Sequence, residues 1–210
     1  DAIIAIEDAR FYEHGPIDLQ GTARALVTNV SSGAVEQGGS TLTQQYVKNV
    51  LLSQADTEEE AAAAIEASYT RKLRELRLAM AAEEQFTKDQ ILERYLNIAY
   101  FGGGAYGIEA AAQRFYSTSA DKLNVNQAAT LSGLVQSPSR YDPEQFPERA
   151  IARRDAVLAA MVGNDALTQE RATAVAERGL GLKPSDTTNG CTVSYAPFFC
   201  DFVYRELMDW

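Results

Sequence analysis

Only one histidine, His14, stands among the 210 residues of this chain. That scarcity excludes a metal centre built from several histidines. Cysteine is nearly as rare, with Cys191 and Cys200 both close to the C-terminal end. The segment between them, TVSYAPFF, is short and contains a proline. It suits a local disulfide, which would imply an exported, oxidising location; two unpaired thiols are the alternative. No apolar run approaches the roughly 20 residues needed to cross a bilayer, and no signal peptide opens the chain. The sequence instead begins abruptly on DAIIAIED, already in an apolar run. It reads as a domain cut from a longer protein, with any membrane anchor lying outside it. Basic residues are also short: 19 Lys and Arg face 29 Asp and Glu, for a net charge of −10. A nucleic-acid binder would show the opposite balance. No internal repeat or low-complexity tract is present.

What is there favours helix. Hydrophobic residues make up 46% of the chain, enough to bury a substantial core. Ala, Leu, Glu, Gln and Arg are abundant. Apolar spacing and cap residues predict a helix from Asp18 to about Ser31, with Leu19, Ala23 and Leu26 on its inner face. A second would start at Ser40 or Thr41 and carry Leu42, Tyr46 and Val50 inward. Thr57 with Glu60 forms a capping-box pattern, opening one long helix to about Gln85. Thr87 would cap the next, KDQILERYLNIAY. A glycine-rich turn occupies 101–107, and helices follow near 107–116, 125–136, 148–162 and 168–179, with a proline-bound loop at 136–147. The expected organisation is a mainly α domain over residues 1–180 and a linker, or the start of a following module, over 181–210.

Three segments carry candidate chemistry. Glu7 and Asp8 end the apolar run AIIAI, so a carboxylate there is partly desolvated, which raises its pKa and improves it as a base. Phe11 and His14 follow at a spacing that a helix would place on one face, where His14 could orient a carboxylate. The stretch GGSTLTQQYVKN (38–49) offers Ser40, Thr41, Gln44, Gln45, Lys48 and Asn49. Ser40, Gln44 and Lys48 are four apart, and a helix would align them as a polar, non-acidic stripe suited to sugar hydroxyls and phosphate oxygens. The glycine and lysine spacing is not that of a P-loop. In RKLRE, Arg71 and Glu75 sit four apart with Lys72 between them. This is a surface ion pair or a site for an anionic group, and the segment alone does not decide. Residues 71–77 nonetheless form a basic island in an acidic protein.

In combination these segments are specific. EDARFYEH, GGSTLTQQYVKN, RKLRE and KDQILERYLN, followed by GAYGIEAAAQRFY and LSGLVQSPSRYDP, resemble in order the signatures of the family 51 glycosyltransferase domain of class A penicillin-binding proteins, here of an actinobacterial kind. The match spans roughly residues 3–145. The resemblance implies a mainly α-helical, lysozyme-like fold with a large lobe and a small membrane-facing jaw. It implies polymerisation of lipid II, a polyprenyl-diphosphate-linked disaccharide-peptide, onto a growing glycan strand. Glu7 would be the general base on the acceptor 4-hydroxyl, and the glycosidic bond would invert from α to β. Lys48 and Arg71 would hold the departing diphosphate. Glu75 would act on the donor side, positioning the diphosphate or assisting as an acid. Ser40, Thr41, Gln44 and Asn49 would contact the donor, while Asp8, Phe11, His14, Gln45 and Lys72 would shape the site. No organic cofactor or nucleotide is strictly required, although a divalent cation at the diphosphate is compatible. The implied setting is the extracytoplasmic face of the cell membrane. The implied partners are the membrane surface, cell-wall synthesis and division proteins, and the inhibitor moenomycin; nucleic acid is not among them.

The chain departs from the family pattern in two places. His14-Gly15-Pro16 replaces the usual His-x-Gly, and Gln127 stands where an acidic residue is common. Three other readings compete. A lysozyme-type hydrolase would share two carboxylates but would not need Lys48 and Arg71. A non-catalytic scaffold would not need the carboxylates. A hydrolase using Ser40 and His14 lacks the Gly-x-Ser-x-Gly elbow.

Overall fold

A computed structural model describes residues 1–23, 39–66, 68–185, 199 and 203. Among them the chain is helical: α1 (Ala2–Glu7), α2 (Leu42–Ser53), α3 (Glu58–Ile65), α4 (Tyr69–Gln85), α5 (Lys88–Ile98), α6 (Ile108–Tyr116), α7 (Val125–Leu134), α8 (Pro147–Gly163) and α9 (Gln169–Ala176). The sole β feature among the described residues is an isolated bridge between Tyr100 and Tyr106. The expected mainly α fold is the one observed.

Side-chain caps set most helix starts. Thr41 Oγ1 accepts from Gln44 N at the start of α2. Thr87 with Gln90 and Asn124 with Gln127 form complete capping boxes on α5 and α7. Gln127, the departure from the family pattern, is therefore a cap residue. The long helix expected from residue 57 to 85 is broken. Glu66 leaves helical geometry at ψ 137°, and Ser68 then caps a new helix by accepting from Arg71 N. A serine within a helical pattern hid this competing cap. The box expected at Thr57 is half made: Thr57 accepts from Glu60 N, but the Glu60 carboxylate accepts from Asp56 N. Residues 9–13 are turns and not a helix, so Phe11 and His14 share no helical face. Asp18 does cap a helical start, its Oδ1 accepting from Gly21 N at 2.9 Å. Leu19, expected to face inward, is 76% exposed. The rest of the segment expected to be helical, Gly38 and both cysteines lie outside the described residues.

Two apolar clusters hold the helices. Phe11, Leu42, Ile91, Tyr95, Phe101 and Phe115 anchor the first, which joins α2, α5 and α6. Ala2, Ala5, Val157, Leu158 and Met161 belong to the second, where α1 lies on α8. Helix α1 serves both, because Ile3 packs in the first cluster. Its last residue, Glu7, is thereby held where the two clusters meet.

Candidate active site

A cleft of about 990 Å³ opens at the end of α1. Glu7, Asp8 and Ser40 line it, together with Arg140, Arg149 and Arg153 from the loop after α7 and from α8. Carboxylates and guanidinium groups thus share the lining of a space large enough for a sugar.

Glu7 is held from several directions. Its side chain is 13% exposed, and Arg153 Nη2 lies 3.5 Å from Oε1. Gln45 Nε2 donates to Oε2 at 3.0 Å. Burial raises the Glu7 pKa above the ordinary carboxylate value. The Gln45 hydrogen bond, Arg153 and Lys48 oppose that rise, and the Asp8 charge adds to it. Burial wins, so the carboxyl holds its proton to a higher pH than an exposed glutamate does. Tyr95 OH donates to Gln45 Oε1 at 3.1 Å. Burial and then the Glu7 charge push the Tyr95 phenol well above its usual range, so it remains protonated.

Asp8 serves the scaffold. Its Oδ2 accepts from Leu42 N at 2.9 Å, pinning the start of α2 to the end of α1. Its Oδ1 lies 2.7 Å from His14 Nε2, and His14 Nδ1 lies 2.6 Å from Gly15 O. His14 therefore orients Asp8, not Glu7. Asp8, His14 and Asp18 bring three ligand-type atoms within 4.8 Å of one another. A cation there would have to displace the Asp8–His14 contact and the Arg10–Asp18 ion pair.

A second cluster lies behind Ser40. Lys72 Nζ donates to Ser40 Oγ at 2.7 Å and approaches Glu75 Oε2 at 3.3 Å. Arg71 Nη1 pairs with Glu75 Oε1, and Arg71 Nε donates to Glu66 O. The Glu75 side chain is 2% exposed, enclosed by its two cations. Arg71, Lys72 and Glu75 do not line the cleft; Ser40 links them to it.

The other expected residues are dispersed. Thr41 lines the cleft and donates to Pro16 O. Gln44 is buried; its Nε2 donates to Pro16 O at 2.9 Å, and its Oε1 has no partner among the described residues. Because α2 begins at Leu42, Ser40 is not on the helical stripe with Gln44 and Lys48. Lys48 is half-buried and acts on Glu7 electrostatically, forming no ion pair among the described residues. Asn49 is half-buried and lies off the cleft wall. Phe11 is wholly buried in the core, with Lys88 Nζ 4.6 Å from its ring centre. Sequence reasoning missed Arg140, Arg149 and Arg153. The only signals were SPSRYDP and the Arg153-Arg154 pair, and no residue in either was assigned a task.

Residues 1–162 match the family model described as Transglycosylase. Curated relatives include penicillin-binding protein 1A of Neisseria flavescens, 42% identical over 178 residues, covering 84% of this chain and 21% of that protein. Penicillin-binding protein 1A/1B of Bacillus subtilis (strain 168) is 40% identical over 204 residues, covering 94% of this chain and 21% of the relative. The chain thus spans about a fifth of the length of these relatives. The crystal structure of penicillin-binding protein 1A from Haemophilus influenzae is similar at 22% identity and a TM-score of 0.46, covering 77% of this chain and 19% of that one.

Proposed function

Since this chain belongs to the transglycosylase family, we propose that it is a peptidoglycan glycosyltransferase that polymerises lipid II with Glu7 as general base. The observation that supports this best is the placing of Glu7. A buried carboxyl of raised pKa opens on a cleft that three arginines also line, one of them beside it. In the proposed reaction the acceptor sugar's 4-hydroxyl gives its proton to Glu7. Its oxygen bonds to the donor's anomeric carbon as that carbon's bond to the lipid diphosphate breaks, so the anomeric centre inverts. The electron pair leaves on the diphosphate, whose charge nearby cations offset. A neutralised diphosphate departs without a strong proton donor, unlike an ordinary glycoside oxygen. Cations facing one base thus suit transfer better than hydrolysis.

In this reading Arg153 and Lys48 stand by the base, while Arg140 and Arg149 on the cleft wall receive anionic substrate groups. Both Glu75 oxygens are taken by Arg71 and Lys72. Glu75 therefore positions those cations and, through Lys72, Ser40. A divalent cation at Glu75 would compete with both of these ion pairs. We place the protein at the outer face of the cell membrane, among cell-wall synthesis and division proteins. No helix among the described residues is long and apolar enough to cross a membrane.

The test is incubation with lipid II in detergent, with preformed peptidoglycan as the parallel substrate. Long glycan chains from lipid II, abolished in Glu7→Gln and by moenomycin, are expected. Cleavage of preformed peptidoglycan without polymerisation would establish a hydrolase instead. Unchanged polymerisation by Glu7→Gln would remove Glu7 as the base.

A further inference from the structure

We propose that Tyr95 is a positioning residue for the proposed base, Glu7, acting through Gln45. The phenol is fully buried on α5, inside the cluster that joins α2 to α5. Its OH donates to Gln45 Oε1 at 3.1 Å, and Gln45 Nε2 donates to Glu7 Oε2 at 3.0 Å. Three elements far apart in sequence therefore meet in one directed chain of hydrogen bonds. A carboxamide has a donor end and an acceptor end. If turned around, Gln45 would aim its oxygen at the Glu7 carboxylate. Tyr95 opposes that turn by supplying a donor to the amide oxygen, which has no other partner among the described residues.

This arrangement separates the two Glu7 oxygens. Oε2 is held by the amide, and Oε1 stands towards Arg153 on the cleft side. The groups acting on Glu7 are Gln45 and Lys48 from α2, Arg153 from α8, Asp8 at the end of α1, and Tyr95 from α5. All but Tyr95 act on it directly by charge or hydrogen bond in setting its protonation. Tyr95 is placed to set the amide that does so.

Tyr95→Phe keeps the ring and deletes only the hydroxyl. Turnover of lipid II by the 210-residue chain should fall roughly ten- to a hundredfold, since small misplacement of a reacting group carries losses of that order. KM should change by no more than about twofold, as Tyr95 is fully buried and does not line the cleft. The acidic limb of the pH–rate profile should move to higher pH, because Glu7 loses a properly aimed donor. Titration of the carbon-13-labelled Glu7 carboxyl by NMR, which needs no turnover, should show the same upward move. A double-mutant cycle with Gln45→Met completes the test. Without an amide to orient, Tyr95→Phe should add no further loss. Equal losses in both backgrounds would mean that Tyr95 acts through core packing, and would overturn the proposal. A folded Tyr95→Phe protein with unchanged turnover and unchanged Glu7 titration would also overturn it. Turnover surviving in Glu7→Gln would instead remove the base, and the NMR titration would still decide whether Tyr95 acts on that carboxyl.

Discussion

Arg153 Nη2 lies 3.5 Å from Glu7 Oε1, yet the Glu7 pKa is raised, not lowered. Burial, with a smaller contribution from the Asp8 charge, outweighs the combined pull of the Gln45 amide, Arg153 and Lys48. The outcome fits the proposed role of base, since the carboxyl keeps affinity for a proton.

Glu7→Gln should abolish polymerisation, with a loss of about 10²-fold or more, and should not unfold the chain. Because its folded pKa lies above the unfolded value, the native state holds the proton to higher pH. Stability then falls as pH rises from the ordinary carboxylate value through the folded one, and stays reduced above it. Glutamine has no such penalty. Calorimetry should therefore give the variant a Tm equal to or above that of the parent at pH 8. Any advantage should disappear below the ordinary carboxylate pKa.

Arginines of the cleft should separate into two kinds. Arg153→Ala should move the acidic limb to higher pH and raise KM, because Arg153 both lowers the Glu7 pKa and lines the cleft. Arg140→Ala and Arg149→Ala should raise KM and leave that limb in place, since neither acts on Glu7. Lys48→Ala should shift the limb upward and weaken moenomycin binding. Paired pH–rate profiles and binding titrations check all four variants.

Within the Arg71–Glu75–Lys72 cluster the two ends should not be equivalent. Arg71→Ala leaves a nearly inaccessible carboxylate with Lys72 alone, and should cost about 1–3 kcal/mol. Glu75→Gln leaves cations that reach solvent, and should cost less. Urea unfolding of both variants measures the difference; equal costs would contradict the asymmetry.

Gly107 precedes α6 with φ 86°, and a Cβ there would meet Asn97 O at 2.6 Å. Gly107→Ala should destabilise by about 2 kcal/mol or more. At Gly163, the last residue of α8, a Cβ would meet nothing within 4 Å. Gly163→Ala should be neutral or stabilise by up to about 1 kcal/mol. Thermal unfolding of the two variants makes the comparison.

Local patterns carried much of this protein. Thr41, Thr87 and the glycine-rich turn marked element boundaries because caps and turns are decided within a few residues. Glu7, Ser40 and Thr41 were legible as cleft residues from the motifs that contain them. Ser68 was not legible as a helix start, because Thr57 and the alanine-rich run favoured one continuous helix. The membership of α1 in both apolar clusters was equally invisible to the local pattern.

By itself, then, the order of residues determined a mainly helical chain, most of its caps and the apolar run that ends on Glu7. Tertiary structure alone decided that Arg153 faces Glu7 while Arg154, one residue on, is buried, donating to Ala176 O and Arg178 O near the end of α9. It also decided that Arg71 and Glu75 neutralise each other behind Ser40, and that Tyr95 reaches Gln45. The physical reason is common to all three. Which way a side chain points depends on how α1, α2, α5 and α8 pack, and those contacts join segments that local sequence patterns never compare.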